Sequence, residues 1–339
     1  MTFPAPTALR LLIAWIAMAS ALSLGACAYS SPKNTAMNTA GWNTHCFGRF
    51  LIDLPPEARI GASYKIRGDQ MKRLPISHRE LEERVSYREQ ELKAQTHETE
   101  GTMFIRRVDH GGSSISLISW ESPRRKRMKR EDAYFVANDG TVFSYGGMLS
   151  ADREHVALDN SAYYARKLRS RAPDETPAGP GFCIDGGYIA GQEFMNEEFR
   201  VGIALPEHPG MQMSFRSRTG AAGSGLLERA GGFLRTEVLG GAAGLDTLRK
   251  RRRPVGPIPG EEYLVAASDK GQRVYAFKWE TQGKDASLSE PNLGLDLGVL
   301  ERDTDDDGNP PPPAFESDEE ALQLWDAIID SIRLRPGAA

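Results

Sequence analysis

An uncharged apolar segment near the N-terminus constrains this chain most, because it decides the compartment in which all later residues fold. Residues 1–27 carry a single charge, Arg10, and residues 11–31 carry none. A weakly basic start followed by an apolar run of this length is typical of a signal peptide. Nothing later in the sequence is apolar enough to span a membrane. We therefore expect the body of the protein to lie outside the cytoplasm.

The apolar segment ends in Leu-Gly-Ala-Cys27, which resembles the lipobox of bacterial lipoproteins. In that family the leader is cut before the cysteine and the thiol is acylated, and Gly25 and Ala26 are the small residues that let the peptidase approach. The resemblance implies a signal peptide over residues 1–26 and lipidation of Cys27. Since Ala28 is not an Asp, it further implies a periplasmic protein anchored in the inner leaflet of the outer membrane. An uncleaved transmembrane anchor and an ordinary cleaved signal are the alternatives.

Acylation of Cys27 leaves two thiols, Cys46 and Cys183. Disulfides form and persist in oxidising compartments, so an exported chain with two remaining cysteines predicts one Cys46–Cys183 disulfide. In chain-entropy models, a bridge that closes so long a loop stabilises the fold by about 4–5 kcal/mol. The alternative is two separately buried free cysteines. In neither case do we expect Cys46 or Cys183 to act as a nucleophile.

The length of 339 residues predicts two domains, each large enough to bury its own core. Residues 27–42 are mostly small and polar, which is typical of a flexible tether. A segment rich in proline and glycine, residues 173–181, is expected to be the linker between domains. These breaks define an N-terminal domain over 43–172 and a C-terminal domain over 182–339.

Both halves have the same order of predicted elements, beginning with a cysteine-bearing strand and ending with a helix. Arg59–Arg67 and Glu198–Leu205 occupy similar places in the two halves. We therefore expect an α+β fold of two related domains, each an antiparallel sheet with packed helices. Apolar patterning predicts strands at 46–54, 60–67, 103–108, 114–120, 134–136, 141–145, 182–190, 200–205, 211–216, 263–267 and 273–279. It predicts helices at 77–96, 158–169 and 225–234, and a last one after a capping box, Ser317–Glu320.

The two halves differ in charge, although the net charge of the whole chain is only −4. Residues 43–172 contain 23 basic and 18 acidic residues, whereas residues 173–339 contain 17 basic and 28 acidic residues. A basic half beside an acidic half suits electrostatic steering of a protein partner better than binding to a uniform polyanion. The modest total charge gives no reason to expect a nucleic-acid partner.

Sequence motifs for catalysis are missing. There is no Gly-x-Ser-x-Gly nucleophile elbow, no His-Glu-x-x-His zinc motif, no Walker loop and no dinucleotide-binding fingerprint. The six histidines are scattered along the chain. Since an active site rarely leaves no local signature, we expect neither an enzyme nor a cofactor or small-molecule substrate. A hydrolase site that is assembled only in the fold is the alternative.

An acidic segment near the C-terminus resembles the first half of a calcium-binding loop. Asp303, Asp305 and Asp307 stand at loop positions one, three and five, with Gly308 at position six. Position twelve, where a bidentate Glu belongs, is Ala314 after a run of prolines. The three aspartates are therefore weak metal candidates, and an exposed acidic loop is the preferred interpretation.

Two runs of basic residues occur, at 124–130 and at 249–253. The first is interpreted as a solvated loop or as a contact for anionic lipid head groups or an acidic protein partner. The second run has the same alternatives, and its simplest interpretation is that neighbouring carboxylates of the acidic half neutralise it.

Three segments together are similar to one protein family. Thr44–Pro55 contains Cys-x-Gly-Arg-aromatic followed by Asp-Leu-Pro, and resembles the family's opening signature. Phe182–Ile189 resembles the start of its second domain, and Pro257–Glu262 resembles a Pro-Gly-Glu turn before its later strands. The family is the Tle-cognate immunity family of periplasmic proteins, which neutralise lipase effectors of the type VI secretion system. The order of the three segments, behind a lipobox, carries the resemblance.

The resemblance implies a two-domain clamp that grips a phospholipase effector and blocks substrate access or the motion of its lid. It brings no catalytic residues and leaves the contact residues unassigned. Export, the missing active-site motifs and the uneven charge agree with this role. The alternative is an envelope lipoprotein with a structural or transport role that binds lipid, peptidoglycan or another envelope protein.

Overall fold

The computed structural model describes residues 36–230, 245–269 and 271–339. The predicted signal peptide, Cys27 and most of the predicted tether lie outside the described residues. From Met37 to Ala339 the chain belongs to one compact unit. The helices described there are α1 (His78–Ala94), α2 (Glu154–Lys167) and α3 (Asp318–Ser331), with a 3₁₀ turn at Ala151–Arg153. Residues 226–230 are also helical, and the end of that predicted helix lies outside the described residues.

Strands make up most of the remaining regular structure. The first half contains β1 (Asn43–Phe47), β2 (Phe50–Leu54), β3 (Arg59–Ile66), β4 (Asp69–Leu74), β5 (Phe104–Gly111), β6 (Ser114–Ser122), β7 (Arg125–Val136), β8 (Val142–Tyr145), β9 (Met148–Ser150) and β10 (Leu168–Ser170). The second half contains β11 (Gly181–Ile184), β12 (Gly187–Ala190), β13 (Glu198–Ala204), β14 (Met211–Arg218), β15 (Asp246–Arg252), β16 (Gly260–Asp269), β17 (Gln272–Thr281), β18 (Asn292–Val299) and β19 (Arg333–Leu334). The described strand pairs are antiparallel. The predicted α+β class with antiparallel sheets is confirmed.

One sheet runs through both halves of the chain. Its described strands follow the order β15-β16-β17-β18-β14-β13-β3-β4-β8-β7-β6-β5, with β9 paired to β7. The halves meet where β3 pairs with β13, so that Tyr64 lies opposite Phe199 and Gly61 lies opposite Gly202. The two segments that occupy similar places in the sequence are thus neighbouring strands at the centre of the sheet.

Two smaller sheets bring the two halves of the chain together a second time. One has the order β1-β2-β19, so the last strand of the chain pairs with a strand near its start. The other has the order β10-β12-β11 and joins the end of the first half to the start of the second. The two small sheets lie next to each other, since Gly48 after β1 forms a β-bridge with Cys183 of β11.

The helices pack on opposite faces of the central sheet. On one face, Trp325 of α3 meets Phe277 of β17 edge-to-face, with ring centroids 5.6 Å apart. Tyr164 of α2 meets Phe135 of β7 on the same face, at 6.0 Å. On the other face, α1 packs against β6, and its buried side chains are Leu81, Val85 and Leu92, as the sequence spacing predicts. Burial of these apolar stripes holds the helices on the sheet.

Local signals fix where the helices begin. Ser77 and Glu80 form a reciprocal capping box at α1, which satisfies two backbone donors at the helix start. The capping box predicted at α3 is only half formed. The Ser317 hydroxyl accepts from the Glu320 backbone at 3.2 Å, but the Glu320 carboxylate accepts from the Glu316 backbone instead of from Ser317.

Two predicted single strands are wrong, because each is a hairpin. The segment 46–54 turns at Gly48, whose φ is +59°, and 182–190 turns at Gly186, whose φ is +62°. Glycine adopts such angles readily, whereas most residues do not. A Cβ at Gly48 would also lie 2.7 Å from the Phe199 ring, so packing excludes a side chain there as well.

Candidate interaction surfaces

The predicted disulfide is present between Cys46 of β1 and Cys183 of β11. The two Cα atoms are 6.0 Å apart, and the bridge spans 137 residues of sequence. Beside it, Gly48 and Cys183 exchange two backbone hydrogen bonds of 2.9 and 2.7 Å. Both sulfurs are buried against Leu51 and Tyr188. The bridge therefore crosslinks the two halves and leaves neither sulfur as a free thiol.

Two buried arginines hold the C-terminus against both halves. Arg335 donates to the carbonyl oxygens of Gly179 and Gly181 at 2.7 Å each and lies over the Tyr188 ring. Burial lowers the pKa of Arg335. Arg49 forms a buried ion pair with Glu197 at 2.6 Å and also donates to a carbonyl near the C-terminus. The predicted linker is consequently a packed part of the structure.

The acidic segment at Asp303–Asp307 has its central carboxylate engaged in hydrogen bonds within the segment. One carboxylate oxygen of Asp305 accepts from the backbone N–H groups of Asp307 and Asn309 at 3.0 and 2.8 Å. The other accepts from the Asn309 side chain, and these hydrogen bonds lower the pKa of Asp305. No group of three His, Cys, Asp or Glu side chains that could hold a metal occurs among the described residues. Asp305 thus closes a turn, an arrangement typical of an Asx motif.

The first basic run, 124–130, begins in the turn between β6 and β7 and continues along β7. The expected loop is wrong, because residues 125–130 pair with β6 and β9. Four of its cations have acidic partners: Arg124 with Glu98, Lys126 with Glu100, Lys129 with Glu154, and Arg130 with Asp132. Arg125 and Arg127 are exposed and make no ion pair within the described part of the chain. The Arg124–Glu98 pair is mostly exposed, and pairs of this kind contribute little to stability, whereas Lys129 and Glu154 are only 15% and 12% exposed.

The second basic run, 249–253, is divided between the two faces of β15: Arg249, Arg251 and Arg253 pair with carboxylates, whereas Lys250 and Arg252 lie exposed on the other face. Glu262 is fully buried and accepts from Arg251 at 2.6 Å, from Arg253 at 3.4 Å and from the Trp325 indole at 3.1 Å. Asp326 of α3 accepts from Arg249 at 2.6 Å and also from Arg253. Arg249, Arg251 and Arg253 therefore fix β15 and β16 to α3.

A buried chain of hydrogen bonds in the first half includes a histidine, two serines and a glutamate. The Ser116 and Ser161 hydroxyls donate to one carboxylate oxygen of Glu131 at 2.6 and 2.7 Å. His110 Nε2 lies 2.8 Å from the Ser116 hydroxyl. Burial raises the pKa of Glu131 and lowers that of His110. Because Ser116 donates to the carboxylate and not to the imidazole, the arrangement differs from a nucleophilic triad, in which the histidine accepts the serine proton.

In the part of the chain that the structure describes, helical segments cover one face of the central sheet at its two ends. At one end α1 packs on Ile115 and Leu117 of β6. At the other end Ala230 packs on Val265 of β16 and Ala276 of β17. The strand register places all four of these sheet residues on the same face. Two helical segments therefore flank a stretch of sheet at β3, β13 and β14.

We call this stretch the central trough; it consists of the outward-facing residues of β3, β13 and β14. Its floor is exposed and small, with Gly61 opposite Gly202 and Ser63 beside them. A Cβ at Gly61 would meet no atom within 4 Å, and one at Gly202 would meet only the Gly61 carbonyl oxygen, at 3.9 Å. A cavity of about 160 Å³ lies at one end, lined by Lys65 and Arg200 among others. Among residues 36–230, 245–269 and 271–339, nothing packs on Gly61 and Gly202 from this side, so another molecule can reach the seam where the two halves join.

Comparison with known proteins decides the family. The model of the Tle cognate immunity protein 4 N-terminal domain matches residues 43–148, and that of its C-terminal domain matches residues 175–337. The chain belongs to the Tle cognate immunity protein 4 family. The resemblance carried by Thr44–Pro55 and the two later segments is confirmed. This is a family of immunity proteins and not of enzymes.

Solved structures of immunity proteins are similar to this chain over most of its length. The apo structure of TplEi, a type VI secretion immunity protein from Pseudomonas aeruginosa, is 51% identical over 90% of this chain and 100% of its own, with a TM-score of 0.83. A chain in a crystal structure of the Tle4–Tli4 complex is 52% identical over 89% of this chain and 100% of its own, with a TM-score of 0.85. TplEi complexed with an "L" peptide is 50% identical over 88% and 100%, with a TM-score of 0.78. No curated protein matches the chain.

Sequence reasoning on this immunity protein missed the trough, although a signal for it exists. In β3, Arg59 and Lys65 alternate with the apolar Ile60, Tyr64 and Ile66. Such a period of two places the polar residues on one face of the strand. The same alternation occurs in β13. The sequence thus predicts which residues of each strand face outward, but it does not predict the pairing that places these residues side by side.

Proposed function

We propose that this chain is the immunity protein of a type VI lipase effector, which it binds and inhibits. Membership in the Tle cognate immunity protein 4 family carries the proposal. Identity of 52% to a chain in the Tle4–Tli4 complex supports it. So does the relative of 50% identity that was solved with a peptide bound. Relatives this similar with protein and peptide partners favour stoichiometric binding as the activity of this chain.

Inhibition requires only that the bound chain clamps the effector and blocks substrate access or the motion of its lid. Three features of the described structure support a rigid clamp: the Cys46–Cys183 bridge, the β3–β13 pairing, and the anchoring of the C-terminus by Arg49 and Arg335. A partner that is ordered before binding loses little conformational entropy in the complex. More of the contact free energy then remains as affinity for the effector.

We further propose that lipidated Cys27 holds the protein in the periplasm at the outer membrane. The lipobox before Cys27 supports this location, and the Cys46–Cys183 bridge is typical of an oxidising compartment. Among the described residues, no helix has the length and apolarity to cross a membrane. Mass spectrometry of the protein extracted from membranes should find a lipid-modified Cys27 as its first residue. Cleavage at another site, or an unmodified Cys27, would contradict the anchor.

Co-expression tests the proposed activity. Residues 28–339 are expressed with the lipase encoded beside this gene, and the mixture is resolved by size-exclusion chromatography. We expect a complex of the two chains and loss of phospholipid hydrolysis. A matched preparation of the lipase alone provides the uninhibited activity. Separate elution of the two chains would rule the function out.

A further inference from the structure

The central trough is basic in a chain whose net charge is −4. Its outward positions carry five cations and one carboxylate: Arg59, Lys65, Arg200, Arg216, Arg218 and Glu198. Both halves contribute, since β3 belongs to the first and β13 and β14 belong to the second. This local excess of positive charge lies along the seam between the two halves, and the low net charge of the whole chain conceals it.

Some of these cations lack an acidic partner. Lys65 and Glu198 lie opposite each other in register but form no ion pair within 4 Å. The side chains of Arg59 and Arg200 make no hydrogen bond and no ion pair among the described residues. Exposed cations left without carboxylates attract an anionic partner and steer its approach.

The remaining two arginines of the trough, Arg216 and Arg218, differ in whether a carboxylate compensates their charge. Arg218 donates only to the neutral amide oxygen of Asn292, at 3.1 Å. Arg216 pairs with Glu280 at 3.3 Å and with Asp296 at 3.7 Å, so its charge is already compensated. The uncompensated charge is therefore concentrated on the β3 and β13 side of the trough and extends to the edge of β14.

The shape of the trough selects among anionic partners. A planar lipid surface is kept from the floor by α1 at one end and by residues 226–230 at the other, whereas a protruding polypeptide segment reaches it. Gly61 and Gly202 leave room for a backbone to lie directly on the strands. We propose that the central trough binds an acidic segment of the lipase effector, whose carboxylates pair with Lys65, Arg200 and Arg218. This inference rests on the proposed function.

Charge reversal tests the trough. Lys65→Glu and Arg200→Glu are introduced separately into residues 28–339, and the association rate and Kd for the neighbouring lipase are measured at two salt concentrations. We expect each variant to weaken binding about tenfold or more, mainly through slower association, and to reduce the salt dependence. Arg125→Glu and Arg127→Glu are matched controls, since both are exposed, unpaired cations on β7. We expect the controls to change Kd by about twofold or less.

A steric variant makes the test independent of charge. Gly202→Leu places a side chain into open space on the trough floor, so we expect an unchanged thermal unfolding curve and a weakened complex. Equal affinity of the unmodified chain and all three trough variants would overturn the proposal and leave the proposed function intact. No binding by the unmodified chain would overturn both. Binding of phosphatidylglycerol vesicles that Arg200→Glu abolishes, with effector affinity unchanged, would assign the trough to lipid instead.

Discussion

The two basic runs are similar in composition and opposite in their structural role. Residues 124–130 begin in the turn between β6 and β7, where Glu98 and Glu100, the partners of Arg124 and Lys126, are exposed side chains. In the second run, Arg249, Arg251 and Arg253 point toward α3, where they pair with Glu262 and two aspartates in and around the core. The difference arises from the element that packs opposite each run, because α3 packs against the Arg249, Arg251 and Arg253 side of β15, whereas the partners of Arg124 and Lys126 are exposed side chains. A charge run in sequence therefore identifies a surface only when its packing partner is known.

Truncation of the central acceptor should give the largest effect in this comparison. Glu262→Ala removes the buried carboxylate that Arg251, Arg253 and Trp325 share. Breaking a buried charge network by removing one partner costs about 3–5 kcal/mol. We expect a loss of that size in the free energy of unfolding, measured by urea titration. A loss below about 1 kcal/mol would mean that the second run is as solvated as the first.

Neutralising the next carboxylate should have a smaller effect. Asp326→Asn removes a charge that accepts from Arg249 and Arg253 but keeps an oxygen acceptor. Hydrogen bonds to charged groups contribute about 1.5–3 kcal/mol, and we expect a loss in this range in the same titration. Asp330→Asn is the control, because Asp330 also pairs with Arg253 but is 73% exposed. Equal losses for the two variants would show that burial does not set the difference.

Lowering the pH should reproduce part of the loss of stability that is expected for Asp326→Asn. Burial opposes ionisation of Asp326, but hydrogen bonds from Arg249 and Arg253 hold its pKa below the usual aspartate value. A carboxyl with a lowered folded pKa stabilises the protein above its unfolded pKa, and this contribution is lost as pH falls through the folded value. We expect the difference in unfolding free energy between the unmodified chain and Asp326→Asn to narrow as the pH falls below about 4. A difference that stays constant down to pH 2 would contradict the lowered pKa.

The exposed hairpin should give the smallest effect. Glu98→Ala removes the partner of Arg124, and both side chains are mostly exposed. Surface ion pairs contribute about 0–1 kcal/mol, so we expect a change within that range that shrinks further in high salt. Arg124→Ala should match it. A loss comparable to that of Glu262→Ala would erase the distinction between the two runs.

The sequence predicts the elements of this fold better than their pairing. The spacing of Leu81, Val85 and Leu92 and the Ser77 cap identify α1 because both signals are local. Strand β15 was missed because its residues are mostly charged, and β18 because glycines interrupt its apolar pattern. The partners of such strands lie far along the chain, and no local pattern specifies them.

The candidate site was less accessible to sequence reasoning than the fold. The family resemblance and the disulfide pairing needed only motif order and a count of cysteines. The trough needed the register of β3 against β13, which places Lys65 opposite Glu198 across more than a hundred residues of sequence. Arg335 shows the same limit, since its carbonyl acceptors lie in the predicted linker. Nonlocal contacts of this kind follow from the assembled sheet.

Titration of lipase activity tests the central claim most directly. Residues 28–339 are added in steps to the neighbouring lipase at a fixed concentration well above the Kd, and hydrolysis of phospholipid vesicles is followed. Stoichiometric inhibition predicts that activity falls linearly and reaches zero at one equivalent of the chain. Full lipase activity in the presence of excess chain would contradict the account.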